Sequence, residues 1–159
     1  MTAPSLSLMK GRVVKISSEE LRTSQDLIAD FKTGHQAIIE AIDSIQASMR
    51  TYREVKPRIR TMQRILLDHF GREGNEFYER LRTFYTSDRH ATKMIEFLTY
   101  DLKDVKIKFL TFFDKYSGEM GDAGSRNFPR DFMDFISHII ARIKVEEDQL
   151  LPLLAKLQD

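Results

Sequence analysis

The 159-residue sequence has no cysteine and no tryptophan, and it contains only 7 glycines and 4 prolines. Without cysteine the chain can form no disulfide, no thiolate metal site and no cysteine nucleophile. No apolar run approaches the ~20 residues of a transmembrane helix, and the amino-terminal residues lack the apolar block of a secretory signal. We therefore expect a cytoplasmic protein that does not contact a membrane.

Neither sign of charge is in excess, because 25 Lys+Arg stand against 24 Asp+Glu and give a formal net charge of +1. A protein that binds nucleic acid through its phosphates needs a surplus of positive charge, so we expect no direct nucleic-acid binding. Hydrophobic residues make up 42% and charged residues 31% of the chain, as is typical of a globular domain. The length predicts a single domain.

Apolar residues recur at steps of three and four along most of the chain, which is the spacing of amphipathic helices. This spacing, together with capping residues and the sparse prolines, predicts helices over residues about 18–50, 57–83, 87–117 and 129–157. Four such helices joined by short loops predict an all-α, antiparallel up-down-up-down four-helix bundle. Residues 1–17 lack a sustained period, so we expect a flexible amino-terminal arm before one domain over residues 18–159.

Several polar residues stand at or beside core positions of the predicted helices, where a purely structural bundle carries leucine, isoleucine or phenylalanine. These residues are Ser24, His35, His69, Glu73 and Glu146. A buried polar group without a partner costs several kcal/mol, so these side chains must be paired, hydrated or functional. His69 and Glu73 are four residues apart on one helix face, a spacing that can direct an imidazole and a carboxylate at one ion.

Three short segments read GHQAI at 34–38, LLDHFGREG at 66–74 and VEEDQLLPLL at 145–154. They resemble hemerythrin-like HHE domains, whose helical bundle holds a non-haem di-iron site. This resemblance implies a protein that binds two iron ions and takes up O2 or NO. The ligands that it implies are His35, His69, Glu73, His90, His138 and Glu146.

The ligand count argues against a complete di-iron site, which uses more histidines than the 4 in this chain. The residue four positions after His90 is Met94, and the residue four positions before Glu146 is Arg142, a permanent cation that would repel a metal ion. The Glu-x-x-His pattern of ferritin-like proteins is absent as well. We therefore expect no cofactor and no enzymatic activity, and we keep the metal site with an incomplete ligand set as the alternative.

A second set of segments reads RTSQDLIADF at 22–31, LLD at 66–68 followed by YERL at 78–81, and RIKVEE at 142–147. They resemble the first, second and fourth helices of the Rsd/AlgQ family, bacterial regulators that bind the primary sigma factor of RNA polymerase. This resemblance implies an anti-sigma-type regulator that binds the C-terminal region of the sigma factor, which reads the promoter −35 element. Such a regulator competes with core polymerase and with promoter DNA. This is the main functional prediction.

The Rsd/AlgQ resemblance also implies roles for individual residues. The residues implied at the sigma interface are Asp68, Gly71, Asn75, Arg22 and Phe31. Asp68 matches the aspartate of that family that faces the sigma factor, whereas glycine at 71 and asparagine at 75 depart from its pattern. An alternative stays open for Asp68, which can be an exposed acid paired with Arg64 or Arg72.

Arg142 and Glu146 are one helical turn apart, and Glu79 and Tyr78 belong to the same resemblance. We expect these four residues to form a paired polar layer that sets the register of the helices, a role that buried ion pairs have in some proteins. The resemblance also admits a second regulatory protein that controls the sigma complex.

Overall fold

The computed structural model describes residues 23–116 and 126–157, and within these residues the chain is all-helical and contains no strand. The helices in chain order are α1 (Ser24–Ala47), α2 (Tyr52–Gly71), α3 (Asn75–Phe84), α4 (Arg89–Tyr116) and α5 (Phe128–Val145), followed by a π-helical turn (Glu146–Leu150) and α6 (Leu151–Ala155). The predicted arm of residues 1–17 lies outside the described residues, as does Arg22. None of the described helices has the length and apolar character needed to cross a membrane.

Helix α1 begins with a capping box. The Thr23 side chain accepts a hydrogen bond from the backbone N–H of Asp26, whose carboxylate accepts from the backbone N–H of Thr23. These two bonds satisfy donors that the first turn of a helix leaves without a partner. The buried positions of α1 then recur at steps of three and four, and His35 is one of them.

The second predicted helix is two helices in the structure. Helix α2 begins at Tyr52 and ends at Gly71, and α3 begins after Gly74. A Cβ atom on either glycine would meet nothing within 4 Å, so close approach of another backbone is not their role. Glycine costs about 1 kcal/mol in a helix interior, and two of them close together favour a break. The break places Glu73 between the two helices, where it is buried.

Helix α5, the π-helical turn and α6 form one continuous helix, because Glu146 and Leu151 both have helical dihedral angles. Pro152 explains the wide turn, since it has no N–H to offer to the carbonyl of Asp148. The Leu151 N–H instead bonds to the carbonyl of Glu146, five residues back. A π-helical turn contains more residues than an α-helical turn, so successive side chains point in more similar directions. Glu146 and Glu147 are successive residues in this turn.

The helices pack around one apolar core. Helix α1 packs against α2 and α6, and α4 packs against α2, α3 and α5. Aromatic rings fill the core beside the end of α4, where Phe112 and Phe135 stack with ring centroids 4.3 Å apart. Leu98 lies about 20 Å from Phe112 along α4, because an α-helix rises about 1.5 Å per residue. The buried charged side chains lie near Leu98, whose carbonyl accepts a hydrogen bond from Arg142.

Candidate metal centre

Three buried side chains converge where α1, α2 and the π-helical turn meet. They belong to His35, His69 and Glu146, and one ligand atom of each lies within 4.8 Å of the other two. His35 Nε2 is 2.7 Å from Glu146 Oε1, and His69 Nε2 is 2.9 Å from the same oxygen. Bonds of imidazole and carboxylate to zinc are about 2.0–2.2 Å long, so two such ligand atoms at a right angle lie about 3 Å apart. The observed separations are close to that value.

His35 is oriented by a second carboxylate. Its Nδ1 lies 2.8 Å from Glu147 Oε2, which leaves Nε2 directed at Glu146. A carboxylate on the outer nitrogen fixes the ring of a metal-binding histidine and raises its basicity. Burial lowers the pKa of His35, but hydrogen bonds to Glu146 and Glu147 outweigh burial and raise this pKa above its ordinary value. A metal ion on Nε2 would compete with a proton at this nitrogen.

The ring of His69 is confined by residues of α1. A Cβ atom at Gly34 would come within 2.5 Å of His69 Nδ1, so the glycine makes room for the imidazole. The Phe31 ring packs edge-on against His69 with centroids 5.2 Å apart, and the centroid of the His35 ring lies 4.9 Å from that of His69. These contacts leave His69 little freedom to turn away from Glu146.

Arg142 is buried beside the cluster and bonds to the other oxygen of Glu146. Its Nε donates to Glu146 Oε2 at 2.8 Å, and its Nη2 donates to Glu73 Oε2 at 2.7 Å. Nη2 also donates to the Tyr78 hydroxyl. Nη1 donates to the Asp101 carboxylate and to the Leu98 carbonyl. All five N–H groups of the guanidinium therefore have acceptors.

Glu73 and Glu146 are two buried carboxylates that share this surrounding. Glu73 Oε2 also accepts from the Tyr78 hydroxyl at 2.8 Å, whereas Glu73 Oε1 is buried and meets no donor among the described residues. Burial and the neighbouring Glu146 raise the pKa of Glu73 well above its ordinary value. Burial would also raise the pKa of Glu146, but hydrogen bonds to His35 and His69 help to hold it well below its ordinary value. Glu146 Oε1 faces the two imidazoles.

Most of the polar residues that the sequence singled out lie together at this site. They are His35, His69, Glu73, Tyr78, Arg142 and Glu146. His90 is exposed at the start of α4, and His138 on α5 is 39% exposed and lies 4.0 Å from Asp134. Glu79 is exposed and pairs with Arg82 at 2.7 Å. Neither histidine belongs to the cluster.

The residues assigned to a sigma interface have different surroundings. Phe31 is buried against the two imidazoles, whereas Asp68 and Gly71 are exposed. Asp68 bonds to Arg72 at 3.1 Å, as in the alternative left open for it. Asn75 is the first residue of α3.

Sequence reasoning missed Gly34, Glu147 and Asp101 as parts of this site. Gly34 carried a signal, because a glycine inside a helix costs about 1 kcal/mol and therefore suggests a packing role. It also directly precedes the core histidine His35. Glu147 carried none, because neighbours on an α-helix point about 100° apart and only the π-helical turn brings both glutamates to His35. Asp101 gave no signal either, since nothing in the sequence relates it to Arg142.

Comparison with known families places the site in context. The family described as "Hemerythrin HHE cation binding domain" matches residues 26–154 of the chain. This range includes His35, His69 and Glu146. No curated protein and no solved structure matches the chain significantly. The family match agrees with the resemblance carried by the three segments GHQAI, LLDHFGREG and VEEDQLLPLL, and no comparison supports the resemblance to Rsd/AlgQ.

The expectation that the chain holds no cofactor is wrong. The family match and the buried cluster of His35, His69 and Glu146 indicate a metal-binding site for iron. That expectation rested on the absence of histidine at positions 94 and 142. Both positions matter only for a site that holds two ions. Two imidazoles and one carboxylate are enough to hold one ion, and that set is complete.

Proposed function

The chain belongs to the family of hemerythrin HHE cation-binding domains, and we propose that it binds iron through His35, His69 and Glu146. The observation that carries this proposal is the convergence of three buried ligand atoms within 4.8 Å of one another. Two histidines and one carboxylate form a ligand set that suits ferrous iron and leaves coordination positions open. Bound iron would supply those positions to a small diatomic ligand such as O2 or NO.

The donor set fits such an ion. Glu146 Oε1 faces both imidazoles, while its Oε2 is taken by Arg142. A further oxygen is present in Glu73 Oε1, which is buried and has no donor partner in the described residues. Buried polar atoms in folded proteins have partners as a rule, so this oxygen is available to a cation or to a water molecule beside it.

The chain's own residues hold the site in place. Glu147 fixes the His35 ring through Nδ1, and Gly34 and Phe31 confine the His69 ring. Arg142 holds the carboxylate of Glu146 by one oxygen and leaves the other directed at the imidazoles. Burial of the three ligands keeps bulk water from the ion, which strengthens its electrostatic interactions with the carboxylate.

A pocket of about 310 Å³ lies between α1 and α2, beside His69 of this cluster. Gly34 and His69 line it, and so do Asp30 and Arg72, which form an ion pair that connects the two helices. We propose this pocket as the route by which iron and small ligands reach His69. Its volume greatly exceeds that of a diatomic molecule.

We also propose that the helices form an up-down-up-down four-helix bundle. In it, α1 and α4 are the first and third helices, α2 with α3 is the second, and α5 with α6 is the fourth. The packing of α1 on α2, α2 on α4, α4 on α5 and α6 on α1 supports a closed ring of four helices.

Iron binding by defined variants tests the proposed function. Wild-type protein is loaded anaerobically with ferrous iron, desalted and assayed for bound iron, alongside His69→Gln and the control His138→Gln. We expect iron in the wild type and in His138→Gln, and its loss in His69→Gln with the helical circular dichroism unchanged. Equal iron in His69→Gln and His138→Gln, or none in the wild type, would refute the proposal.

A further inference from the structure

The guanidinium of Arg142 bridges two buried carboxylates. It bonds to Glu146 Oε2 at 2.8 Å and to Glu73 Oε2 at 2.7 Å, and all three side chains are fully shielded from solvent. Two carboxylates of a protein often hold a divalent cation between them in this way. Here the cation is a side chain of the protein itself.

We propose that Arg142 takes the place of a second metal ion, so that this centre holds one ion rather than two. The inference rests on the proposed iron site of His35, His69 and Glu146. Glu146 serves two cations, one at each oxygen, because Oε1 faces the imidazoles and Oε2 accepts from Arg142.

The charge of Arg142 is permanent, which distinguishes it from a histidine or a lysine. A guanidinium does not deprotonate in proteins, and Glu73 and Glu146 favour its charged form against the effect of burial. A divalent ion at the same carboxylate oxygens would stand within hydrogen-bond distance of this charge. Repulsion between like charges is strong in a buried site, because little water screens it.

The bonds of Arg142 also occupy oxygens that a second ion at this position would need. Its five N–H groups bond to one carboxylate oxygen each of Glu73, Glu146 and Asp101, to the Tyr78 hydroxyl and to the Leu98 carbonyl. Over residues 23–116 and 126–157, the group able to hold a metal is the one formed by His35, His69 and Glu146. No imidazole is added to it from α4 or α5, since His90 and His138 lie elsewhere.

Arg142 is therefore a positioning residue. Its bond to Oε2 keeps the Glu146 carboxylate from rotating and presents Oε1 alone to the metal. Its bond to Glu73 connects the segment between α2 and α3 to α5 and brings Glu73 to the same site. The side chain thus supplies both the charge and the geometry that a second ion would otherwise supply.

The test counts metal ions per chain in the full-length protein after anaerobic loading with ferrous iron. The first variant is Arg142→His, which puts an imidazole four residues before Glu146. The control is Arg82→His, which changes a half-buried arginine that bonds to Glu79 and Thr99, outside the site. We expect one iron in the wild type and in Arg82→His, and an increase to about two in Arg142→His. Arg142→Lys, which keeps the positive charge, is expected to stay at one.

The outcomes separate this inference from the proposed function. Two irons per chain in the wild type would overturn the role of Arg142 and leave the iron site standing. A folded Arg142→His protein that still binds one iron would overturn it as well. If Arg142→His fails to fold, the counts of the wild type and Arg142→Lys decide, since two irons in either contradict the inference. No iron in any of these proteins would instead refute the proposed function.

Discussion

Adding one methyl group at Gly34 should weaken iron binding without removing any ligand. The new Cβ would lie 2.5 Å from His69 Nδ1, whereas ordinary contacts of a Cβ begin at 3.4 Å, so the ring must withdraw by roughly 0.9 Å. The rings of Phe31 and His35 restrict sideways movement. A ring that withdraws from residue 34 no longer holds its Nε2 in the present position, 2.9 Å from Glu146 Oε1.

The expected magnitude follows from two opposing effects. Loss of a group that orients a metal-bound histidine costs about 10- to 100-fold in metal affinity, and displacement of the ring itself should cost at least as much. In the metal-free protein, alanine is more favourable than glycine inside a helix by about 1 kcal/mol, which offsets part of the strain. Gly34→Ala should therefore lower iron affinity by a factor of about 10 to 100 while changing the metal-free stability little.

The assay is anaerobic competition for ferrous iron against a chelator of known affinity, with thermal unfolding of the metal-free proteins measured in parallel. Gly71→Ala is the matched control, because it also lies in a helix and its Cβ would meet nothing within 4 Å. Equal iron affinity in Gly34→Ala and Gly71→Ala would refute the reasoning that Gly34 makes room for a metal ligand.

Three further predictions concern the surroundings of the site and the core. Glu147→Ala removes the carboxylate on His35 Nδ1 and should lower iron affinity about 10-fold. The control Asp148→Asn changes an exposed ion pair and should leave iron affinity unchanged. Equal affinities of the two variants would contradict the role of Glu147 in orienting His35. Tyr78→Phe deletes a buried hydroxyl between Glu73 and Arg142 and should lower the free energy of unfolding in urea by about 1–3 kcal/mol; no change would show that the hydroxyl is dispensable. Phe132→Ala empties a fully buried position and should cost about 3–5 kcal/mol in the same measurement, and a loss below about 1 kcal/mol would mean that the core there is loosely packed.

The all-helical fold follows from the sequence because its apolar period is long and regular. The third stripe runs without interruption from Ile95 to Tyr116, and the structure forms α4 over Arg89–Tyr116. The second stripe is equally regular, yet the chain breaks after Gly71, since periodicity reports which face is apolar and not whether the backbone stays helical. The π-helical turn is hidden from the sequence for the same reason, because Pro152 alters a backbone hydrogen bond and leaves the apolar period nearly intact.

Part of the site could also be predicted from the sequence. His35, His69, Glu73 and Glu146 stand out because polar residues at core positions must have partners, and the structure brings them together. The role of Arg142 could not be predicted in the same way. An arginine where a metal ligand is expected reads as the loss of the site, and only the geometry shows that it faces one oxygen of Glu146 and leaves the other to the imidazoles.

The most direct test of the metal site is a crystal structure of the iron-loaded protein with anomalous scattering recorded at the iron absorption edge. We predict a single strong peak per chain, bonded to His35 Nε2, His69 Nε2 and Glu146 Oε1. A peak at other residues, or no peak from protein that was loaded and crystallised under anaerobic conditions, would contradict this prediction.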